Sequence, residues 1–402
     1  MVKVKTVTQS PEVLFNGLGK KYEEFPSGEF KLNGQLLQDE NGENMNSEAV
    51  ISQIEQDTAH FVGRQFAQIV LLAGAGSSIS GKTGAKRVGR SMKDLTLEIE
   101  NVLNKEKLLN LKALASLSKY PFLDYTSKDF NLEDLMSRIE RAQEYVADED
   151  KANFEVAYTR IHKVIQEATA YDYDSTLLHH DRIIKMLSDR VVAPNKLTVA
   201  TTNYDTLIEQ ASIAQGYSII DGFSYDSDPR FDADNFEWNL VRDIPNLATS
   251  ELEYKKQVIN LIKLHGSLTW ERSGDGTVHR LTKSAVDKPL MIFPSSDKYM
   301  QSYTEPYFDL FSKFQELLSR PKTLLISNGF SFGDNHISQM VHHAIMHNGG
   351  LSVMITDNNI TSQSNPGWES LEKLMSARYP VIFVKATMNT LSDFLGVDYS
   401  EY

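Results

Sequence analysis

Apolar runs recur along the chain, and most of them end in glycine or polar residues. A continuous apolar run is typical of a strand that is buried on both faces of a parallel sheet. The pattern predicts strands at 67–73, 196–202, 258–264, 290–293, 323–327, 351–356 and 380–384. Apolar residues at helical spacing predict helices at 47–66, 205–215, 304–319 and 334–347.

A long stretch between the first two predicted strands behaves differently. Residues 92–119 and 130–190 are rich in Leu, Glu, Lys and Ala at helical spacing, with few strand signals. Elsewhere strand, loop and helix alternate, which predicts an α/β fold with a doubly wound parallel sheet. We therefore expect one sheet domain over 49–402 with a large helical insertion at about 92–190. Residues 1–48 are polar, and we expect an N-terminal extension there, with a short hairpin or an interaction arm as alternatives.

Polar residues and glycines follow five of the predicted strands. In a doubly wound sheet, ligands bind beyond the carboxyl ends of the strands. The strand-end residues, taken in chain order, are Gly74, Ala75, Gly76, Ser77, Thr201, Asn203, Asp205, His265, Gly266, Asn328, Gly329, Ser331, Asp334, Asp357 and Asn358. Their clustering predicts a binding site at this edge of the sheet.

The stretch at 71–83, LLAGAGSSISGKT, fits two nucleotide-binding patterns. From Gly76 it reads G-x-x-x-x-G-K-T, the pattern of a phosphate-binding P-loop that would use Lys82 and Thr83. From Gly74 it reads G-A-G-S, the turn of a dinucleotide-binding fold, where glycine lets backbone N–H groups approach a diphosphate. The stretch alone does not decide between the two.

Two further residues suit catalysis. Asn203 offers a hydrogen-bond donor and an acceptor, suited to a ribose hydroxyl, a carboxamide or a water. His265, at a strand end before glycine, is a candidate general base. The plain structural alternative for the Asn203 segment is a capping turn with Asp205 at the N-cap of the next helix. For the turn at 328–336 the alternative is an ordinary strand-to-helix turn with Asp334 near the cap.

Composition narrows the function further. The net charge is −13 and the sequence pI is about 5.3, which argues against broad binding of duplex nucleic acid. Lys82, Lys86, Arg87, Arg90 and Lys93 nevertheless form a local basic segment, either a solvated surface or a rim that attracts an anionic nucleotide. No apolar run approaches the ~20 residues of a membrane span, and the first residues lack the apolar core of a signal peptide. We expect a cytoplasmic protein.

The order of the motifs resembles that of the sirtuin family. G-A-G-S at 74–77, T-x-N-x-D at 201–205, H-G at 265–266 and G-x-S at 329–331 follow one another as in sirtuins, over roughly residues 67–358. Three segments also resemble bacterial sirtuin-like anti-phage defence proteins, in particular those encoded beside a HerA-like ATPase. They are FNLEDLMSRIE at 130–140, IFPSSDKY at 292–299 and LLISNGFSFGDNHIS at 324–338.

The resemblance implies a Rossmann-like fold in which residues 49–402 form an NAD-binding catalytic domain. It implies a pyrophosphate cradle at Gly74, Ala75, Gly76 and Ser77. Thr201, Asn203 and Asp205 would line the nicotinamide and its ribose, with His265 near that ribose. Gly329, Ser331 and Asp357 would face the adenosine side.

The chain departs from the deacylase sirtuins in three places. It has no cysteine, so the family's four-cysteine zinc module is missing and we expect no metal. The stretch after the first motif reads SGKTGAKRVGRSMKDL instead of the family's Gly-x-Pro-Asp-Phe-Arg, and Thr202 replaces the usual Gln. These departures weaken the case for deacylation and leave the NAD-handling residues in place.

The resulting expectation is an NAD+ hydrolase that serves as an anti-phage effector by depleting NAD+. A zinc-free NAD-dependent deacylase, a P-loop ATPase and a non-catalytic NAD or ADP-ribose sensor stand as alternatives. Since indiscriminate NAD+ loss is lethal, regulation is expected. The resemblance implies a homo-oligomer and a HerA-like ATPase partner, with 1–48 and 92–190 as candidate contact surfaces.

Overall fold

The computed structural model describes residues 10–80, 88–127, 129–244, 252–292, 304–363 and 365–396. Its strands are β1 (Glu12–Gly17), β2 (Lys20–Glu24), β3 (Phe30–Leu32), β4 (Gln35–Leu36), β5 (Gln68–Ala73), β6 (Leu197–Thr201), β7 (Ser218–Ile220), β8 (Val241–Asp243), β9 (Leu252–Tyr254), β10 (Val258–Lys263), β11 (Trp270–Arg272), β12 (Val278–Arg280), β13 (Thr323–Asn328), β14 (Leu351–Asp357) and β15 (Val381–Lys385).

The α-helices are α1 (Ser47–Val62), α2 (Met92–Lys105), α3 (Leu111–Leu117), α4 (Leu132–Ala142), α5 (Asp148–Thr169), α6 (His180–Ser188), α7 (Leu207–Ala214), α8 (Tyr307–Ser319), α9 (Asn335–His347), α10 (Glu369–Ser376) and α11 (Leu391–Phe394). No helix in the described ranges is both long enough and apolar enough to cross a bilayer.

One large sheet organises the molecule, in the order β4-β3-β2-β1-β15-β14-β13-β5-β6-β10-β7. The strands from β15 to β7 are parallel neighbours. The chain runs outward from β5 through β6, then returns to the other side of β5 at β13. This reversal of direction makes the sheet doubly wound, and the predicted Rossmann-like α/β fold is confirmed.

The apolar runs form strands because both faces of the sheet are covered. Along β5, Val70 and Leu72 join one hydrophobic cluster, whereas Ile69 and Leu71 join the other. Helices α8, α9 and α10 cover the first face, and α1, α6, α7 and α11 cover the second. Every position of β5 is buried, and the strand is accordingly apolar from Ile69 to Ala73, after the polar Gln68 at its start.

The helical insertion has a core of its own. Helices α2, α3, α4 and α5 share a third hydrophobic cluster, which also takes in Leu268 and Met291 and against which Tyr204 packs. Helix α6 instead packs against the sheet through Ile183, Ile184 and Leu187. The insertion therefore touches the chain beside two predicted site residues, because Tyr204 follows Asn203 and Leu268 lies three positions after His265.

The strand predicted at 290–293 is wrong over its described part. Residues 290–292 form one isolated bridge, between Met291 and Gly266, and residue 293 lies outside the described residues. The segment pairs with the bend after β10: Ser267 donates to the Leu290 carbonyl over 3.0 Å, and Ile292 donates to the His265 carbonyl over 3.0 Å. An apolar run can thus be buried by a turn as well as by a sheet.

The N-terminal segment extends the sheet. Strands β1 to β4 run antiparallel to one another, and β1 pairs with β15. Phe15, Tyr22 and Phe30 are buried in the cluster that α1 covers. An interaction role for residues 1–48 stays a prediction.

Candidate functional site

Four strands end level with one another at the predicted site. Asn328 of β13 pairs with Ala73 of β5, Ala73 pairs with Thr201 of β6, and Thr201 pairs with Lys263 of β10. The residues that follow therefore emerge along one edge of the sheet. Strands β5 and β13 also flank the point where the chain reverses its direction across the sheet, which is where ligands bind in such folds.

The glycine turn, Gly74–Ser78, packs backbone to backbone against the loop after β13. Gly74 donates to the Asn328 carbonyl and Gly76 donates to the Gly329 carbonyl, each over 2.9 Å. A Cβ at Gly74 would stand 2.5 Å from the Gly329 oxygen, and one at Gly76 would stand 2.7 Å from the Gly329 Cα. Gly329 has φ +63°, and its Cβ would lie 2.3 Å from the Ser77 nitrogen. The glycines are required by this contact between two turns, whatever ligand approaches them.

The remaining members of the glycine turn differ in exposure. Ala75 is exposed, whereas Ser77 is buried and donates its hydroxyl to the Gly74 carbonyl over 2.7 Å. Ser78 is buried as well. Ala75 therefore lies on the solvent side of the turn, whereas the two serines face the protein.

Asn203 faces the glycine turn with its amide nitrogen. Nδ2 donates to the Gly74 carbonyl over 2.9 Å and to Ser78 Oγ over 2.8 Å. Thr201 holds the loop, because its Oγ1 donates to the Ala73 carbonyl over 2.9 Å and accepts from the Asn203 backbone nitrogen over 3.0 Å. The donor side of the amide is thereby committed to the protein, whereas among the described residues no hydrogen bond reaches Oδ1.

Asp205 is buried and contacts the glycine turn through Ser78. Ser78 Oγ donates to its Oδ2 over 2.6 Å, and the Leu207 nitrogen donates to its Oδ1 over 3.1 Å. Burial raises the pKa of the Asp205 carboxyl, while Lys263 and the Ser78 hydrogen bond counteract that rise. The side chain is thus a partner of Ser78, in addition to its expected place beside the nicotinamide.

Lys263 ends β10 inside the protein. Its side chain is 2% exposed, and Nζ donates to Glu209 Oε1 over 2.8 Å and to the backbone carbonyl of Asp205. A buried charge needs such partners because desolvation is costly. The ammonium therefore lies directly beneath the loop that carries Asn203.

His265 is paired with a carboxylate. Its Nε2 and Asp334 Oδ2 are 2.9 Å apart, and both side chains are 4% exposed. Asp334 Oδ1 also accepts from the His336 and Ile337 nitrogens and so caps α9. With Asp334 ionised, Nε2–H is the donor of this bond, a tautomer assigned from the hydrogen bonding, and the lone pair lies on Nδ1.

Two predicted residues lie further along the edge. Ser331 is exposed, and its Oγ accepts from the Gly333 nitrogen over 3.3 Å. Asp357 ends β14, which is separated from β5 by β13. Burial raises the pKa of the Asp357 carboxyl. The structure thus brings Gly74, Gly76, Ser77, Asn203, Asp205 and Gly329 into one contact network, with His265 beside it and with Ser331 and Asp357 at a distance.

Lys82 and Thr83 lie outside the described residues. The chain leaves the described part at Ser80 and returns at Val88, where the Ser80 nitrogen donates to the Val88 carbonyl over 3.1 Å and the Val88 nitrogen donates to Ser80 Oγ over 3.0 Å. Ser80 and Val88 are therefore held together close to the glycine turn. Most of IFPSSDKY also lies outside the described residues.

Sequence reasoning missed three residues of this region and the role of a fourth. Ser78 and Lys263 carried no motif, and Asp334 was grouped with the strand-end residues or read as a helix cap, without its pairing to His265. His180, at the start of α6, is buried edge-on to Tyr173, and neither of its ring nitrogens has a hydrogen-bond partner among the described residues. Burial lowers its pKa to about 4, although contact with the Ser77 backbone partly counteracts that shift. A polar residue inside an apolar strand, as Lys263 is in VINLIK, was the one available signal.

Among the described residues, no three His, Asp or Glu side chains come together in a way that could hold a metal ion. The expectation of no metal stays a prediction.

Comparison with known proteins is informative over one part of the chain. No curated protein matches it. Among solved structures, a chain described as "Structural Basis for the Mechanism and Regulation of Sir2 Enzymes" is similar with a TM-score of 0.35 and 11% identity, over 86% of this chain and 97% of that chain. Cytosolic 5'-nucleotidase IIIB bound to cytidine is similar with a TM-score of 0.29 and 11% identity, over 88% of this chain and 91% of that chain.

Similarity at these TM-scores carries no argument about function. The family comparison is more specific, because residues 197–378 match the model of the SIR2-like domain. That segment contains Asn203, Asp205, Lys263, His265 and Asp334, and begins with β6. From β6 to just beyond α10, the sequence is therefore similar to the SIR2-like domain.

Proposed function

We propose that this protein hydrolyses NAD+ to nicotinamide and ADP-ribose. One observation carries the proposal: within and beside a SIR2-like segment, an oriented asparagine carbonyl and a histidine–carboxylate pair emerge level with a glycine turn at the switch point of a doubly wound sheet. Such edges are where this class of sheet binds dinucleotides.

In this proposal NAD+ is the substrate and lies across the strand ends. Its pyrophosphate contacts the glycine turn near the exposed Ala75, and the basic residues that follow the turn in the sequence balance its charge. Its adenosine extends toward Gly329, Ser331 and Asp357. The nicotinamide riboside lies over Thr201, Asn203 and His265.

The reaction breaks the bond between the ribose C1′ and the nicotinamide nitrogen. The bonding electrons leave with the nicotinamide, which becomes neutral, and C1′ passes through an oxocarbenium-like state. A water forms the new bond to C1′, and its proton passes to the His265 imidazole. Asn203 Oδ1 accepts a hydrogen bond from that water or from a ribose hydroxyl. Asp334 stabilises the imidazolium that results.

The test is incubation of the purified protein with NAD+, with nicotinamide and ADP-ribose quantified by chromatography. We expect Asn203→Ala and His265→Ala each to reduce nicotinamide release by about 10²–10⁴-fold, while circular dichroism shows the fold retained. His60→Gln, on the exposed surface of α1, is the matched control and should act as wild type. Full activity in both site variants would overturn the assignment.

The same assay separates the alternatives. A deacylase would consume NAD+ only when an acylated peptide is present, and a sensor would bind NAD+ without releasing nicotinamide. A P-loop ATPase would instead lose ATP binding on Lys82→Ala. Against that reading, a P-loop strand should end just before Gly76, whereas β5 ends at Ala73 and Gly76 packs on Gly329.

We extend the proposal to a biological role as a cytoplasmic anti-phage effector that depletes NAD+. It rests on the resemblance of three sequence segments to defence proteins, which also suggests a homo-oligomer and a HerA-like ATPase partner. Nicotinamide release measured with and without such a partner, together with the mass of the protein in solution, tests both expectations.

A further inference from the structure

We propose that Lys263 and Glu209 form a buried positioning pair that sets the direction of the hydrogen bonds running from Asp205 through Ser78 to Asn203. The pair thereby supports the orientation of the Asn203 amide, which the Gly74 carbonyl also holds by accepting from Nδ2. The consequence for turnover rests on the proposed NAD+ hydrolysis, whereas the electrostatic consequence for Asp205 does not.

The geometry forms a continuous path. Lys263 Nζ donates to the Asp205 backbone carbonyl and, over 2.8 Å, to Glu209 Oε1. Ser78 Oγ donates to Asp205 Oδ2 over 2.6 Å, and Asn203 Nδ2 donates to Ser78 Oγ over 2.8 Å. Lys263, Asp205 and Ser78 are all buried, so water does not compete for these bonds.

The direction of the path depends on the charge of Asp205. An ionised carboxylate only accepts, so the Ser78 hydroxyl must point its proton at Asp205 and keep its lone pairs for Asn203. Asn203 Nδ2 then donates both to Ser78 Oγ and to the Gly74 carbonyl. A protonated Asp205 could donate to Ser78 instead, and the hydroxyl could then point its proton at Asn203 Nδ2, which would break the Ser78–Asn203 hydrogen bond and leave the Gly74 carbonyl alone to hold the amide.

Among the described residues, the charged and titratable groups that interact with Asp205 are Lys263 on β10, Glu209 on α7 and Tyr171, which follows α5. Lys263 lowers the pKa of Asp205, whereas burial, the dominant effect, and Glu209 raise it. The pKa of Tyr171 is raised to about 12, mainly by burial and then by Asp205, so this phenol stays neutral. Lys263 is thus the cation that favours the ionised carboxylate.

Because Lys263 and Glu209 carry opposite charges, replacing each of them should shift the pKa of Asp205 in opposite directions. Lys263→Met removes a cation, and we expect it to move the titration of Asp205 upward by about one pH unit. Glu209→Gln keeps an acceptor for Lys263 but removes an anion, and we expect a downward shift. Lys313→Met is the matched control, because Lys313 is also largely buried and ion-paired, on α8.

The readout is ¹³C NMR of protein labelled at the aspartate side-chain carboxyls. The signal of Asp205 is the one that is absent from the spectrum of the Asp205→Asn variant. In parallel, the pH profile of nicotinamide release is recorded. We expect the acid limb of kcat to move in the same direction as the Asp205 titration, with KM changed less than about twofold because Lys263 does not touch substrate. If Lys263 served only the fold, its replacement would lower kcat without shifting the acid limb of the pH profile.

The outcomes separate the two proposals. Shifts of equal sign, or no shift in either variant, overturn the positioning pair. A wild-type protein that releases no nicotinamide overturns the proposed function, and the NMR titration still decides the inference. Should Lys263→Met fail to fold because Glu209 is left buried and unpaired, Glu209→Gln and the double variant decide it, the double variant titrating between the two single ones.

Discussion

The two halves of the candidate site are built by opposite means. On the side of β5 and β13, the glycine turn and the Gly329 loop meet backbone to backbone, and each contact requires that a side chain be absent. On the side of β6 and β10, buried polar and charged side chains do the positioning, namely Asn203, Asp205, Lys263 and His265. The first half fixes shape, and the second fixes charge and hydrogen-bond direction.

This difference predicts whether a substitution in each half lowers mainly the folding free energy or mainly the catalytic rate. Added volume at the backbone half should cost folding free energy, since close-packed backbone cannot move aside. Altered charge at the side-chain half should cost catalysis while leaving the fold intact. Four variants test this contrast, from the largest expected effect to the smallest.

Asp334→Asn should have the largest effect, on turnover alone. Asparagine still caps α9 through its side-chain oxygen, but it cannot stabilise a charged His265. We expect nicotinamide release to fall by about 10²–10⁴-fold with the midpoint of urea unfolding unchanged. Asp232→Asn, at the cap of the short 3₁₀ helix Ala233–Glu237, is the control. A large loss of stability would show that Asp334 serves α9 more than His265.

Gly329→Ala should damage the backbone half. The new Cβ would meet the Ser77 nitrogen at 2.3 Å in a left-handed backbone conformation, so we expect a loss of about 2–4 kcal/mol in the free energy of unfolding. Gly349→Ala has open space around the new Cβ and should change stability little. Equal stability of the two variants would contradict the close approach of the two turns.

Acid should lower the free energy of unfolding through His180, which interacts with the Ser77 backbone of the glycine turn. Its folded pKa, about 4, lies below its unfolded value, so the unfolded chain binds more protons between these two values. Stability is therefore complete above pH ~6.5 and falls by up to about 3 kcal/mol as the pH drops toward 4. His180→Leu should flatten this dependence in urea titrations from pH 7 to pH 4. A curve that matches wild type in slope would argue against the buried imidazole.

Lys82→Ala should have the smallest effect. If the basic segment only attracts the substrate, its removal changes KM by no more than about threefold and leaves kcat as it was. Measurement at low and high salt sharpens the result, because an electrostatic contribution fades with ionic strength. A loss as large as that of Asn203→Ala would instead favour a P-loop role.

Much of the sheet could be predicted because its strands are buried on both faces and so leave unbroken apolar runs. The runs at 67–73, 196–202 and 323–327 became β5, β6 and β13 within a residue or so. Strands of three residues, such as β7 and β11, are too short to show a period. The run at 290–293 misled because burial by a turn leaves the same pattern as burial by a sheet.

The site was predictable as a set of strand ends but not as a network. Parallel strands bring their carboxyl ends together, so Gly74, Asn203 and His265 could be grouped without coordinates. The partners could not, since the Ser78–Asp205 bond spans 127 positions and the His265–Asp334 bond spans 69. Such pairings depend on the order of the strands in the sheet, which local pattern does not encode.

The ends of the large sheet bear on how copies of this chain could assemble. Its outermost strands are β4, with two residues, and β7, with three. An incoming chain would find little backbone to pair with there, so edge-to-edge association and the aggregation it invites are disfavoured. If the protein forms a regulated oligomer, the contacts between its copies should therefore be made by side chains. Point mutations outside the sheet should then be able to dissociate the oligomer.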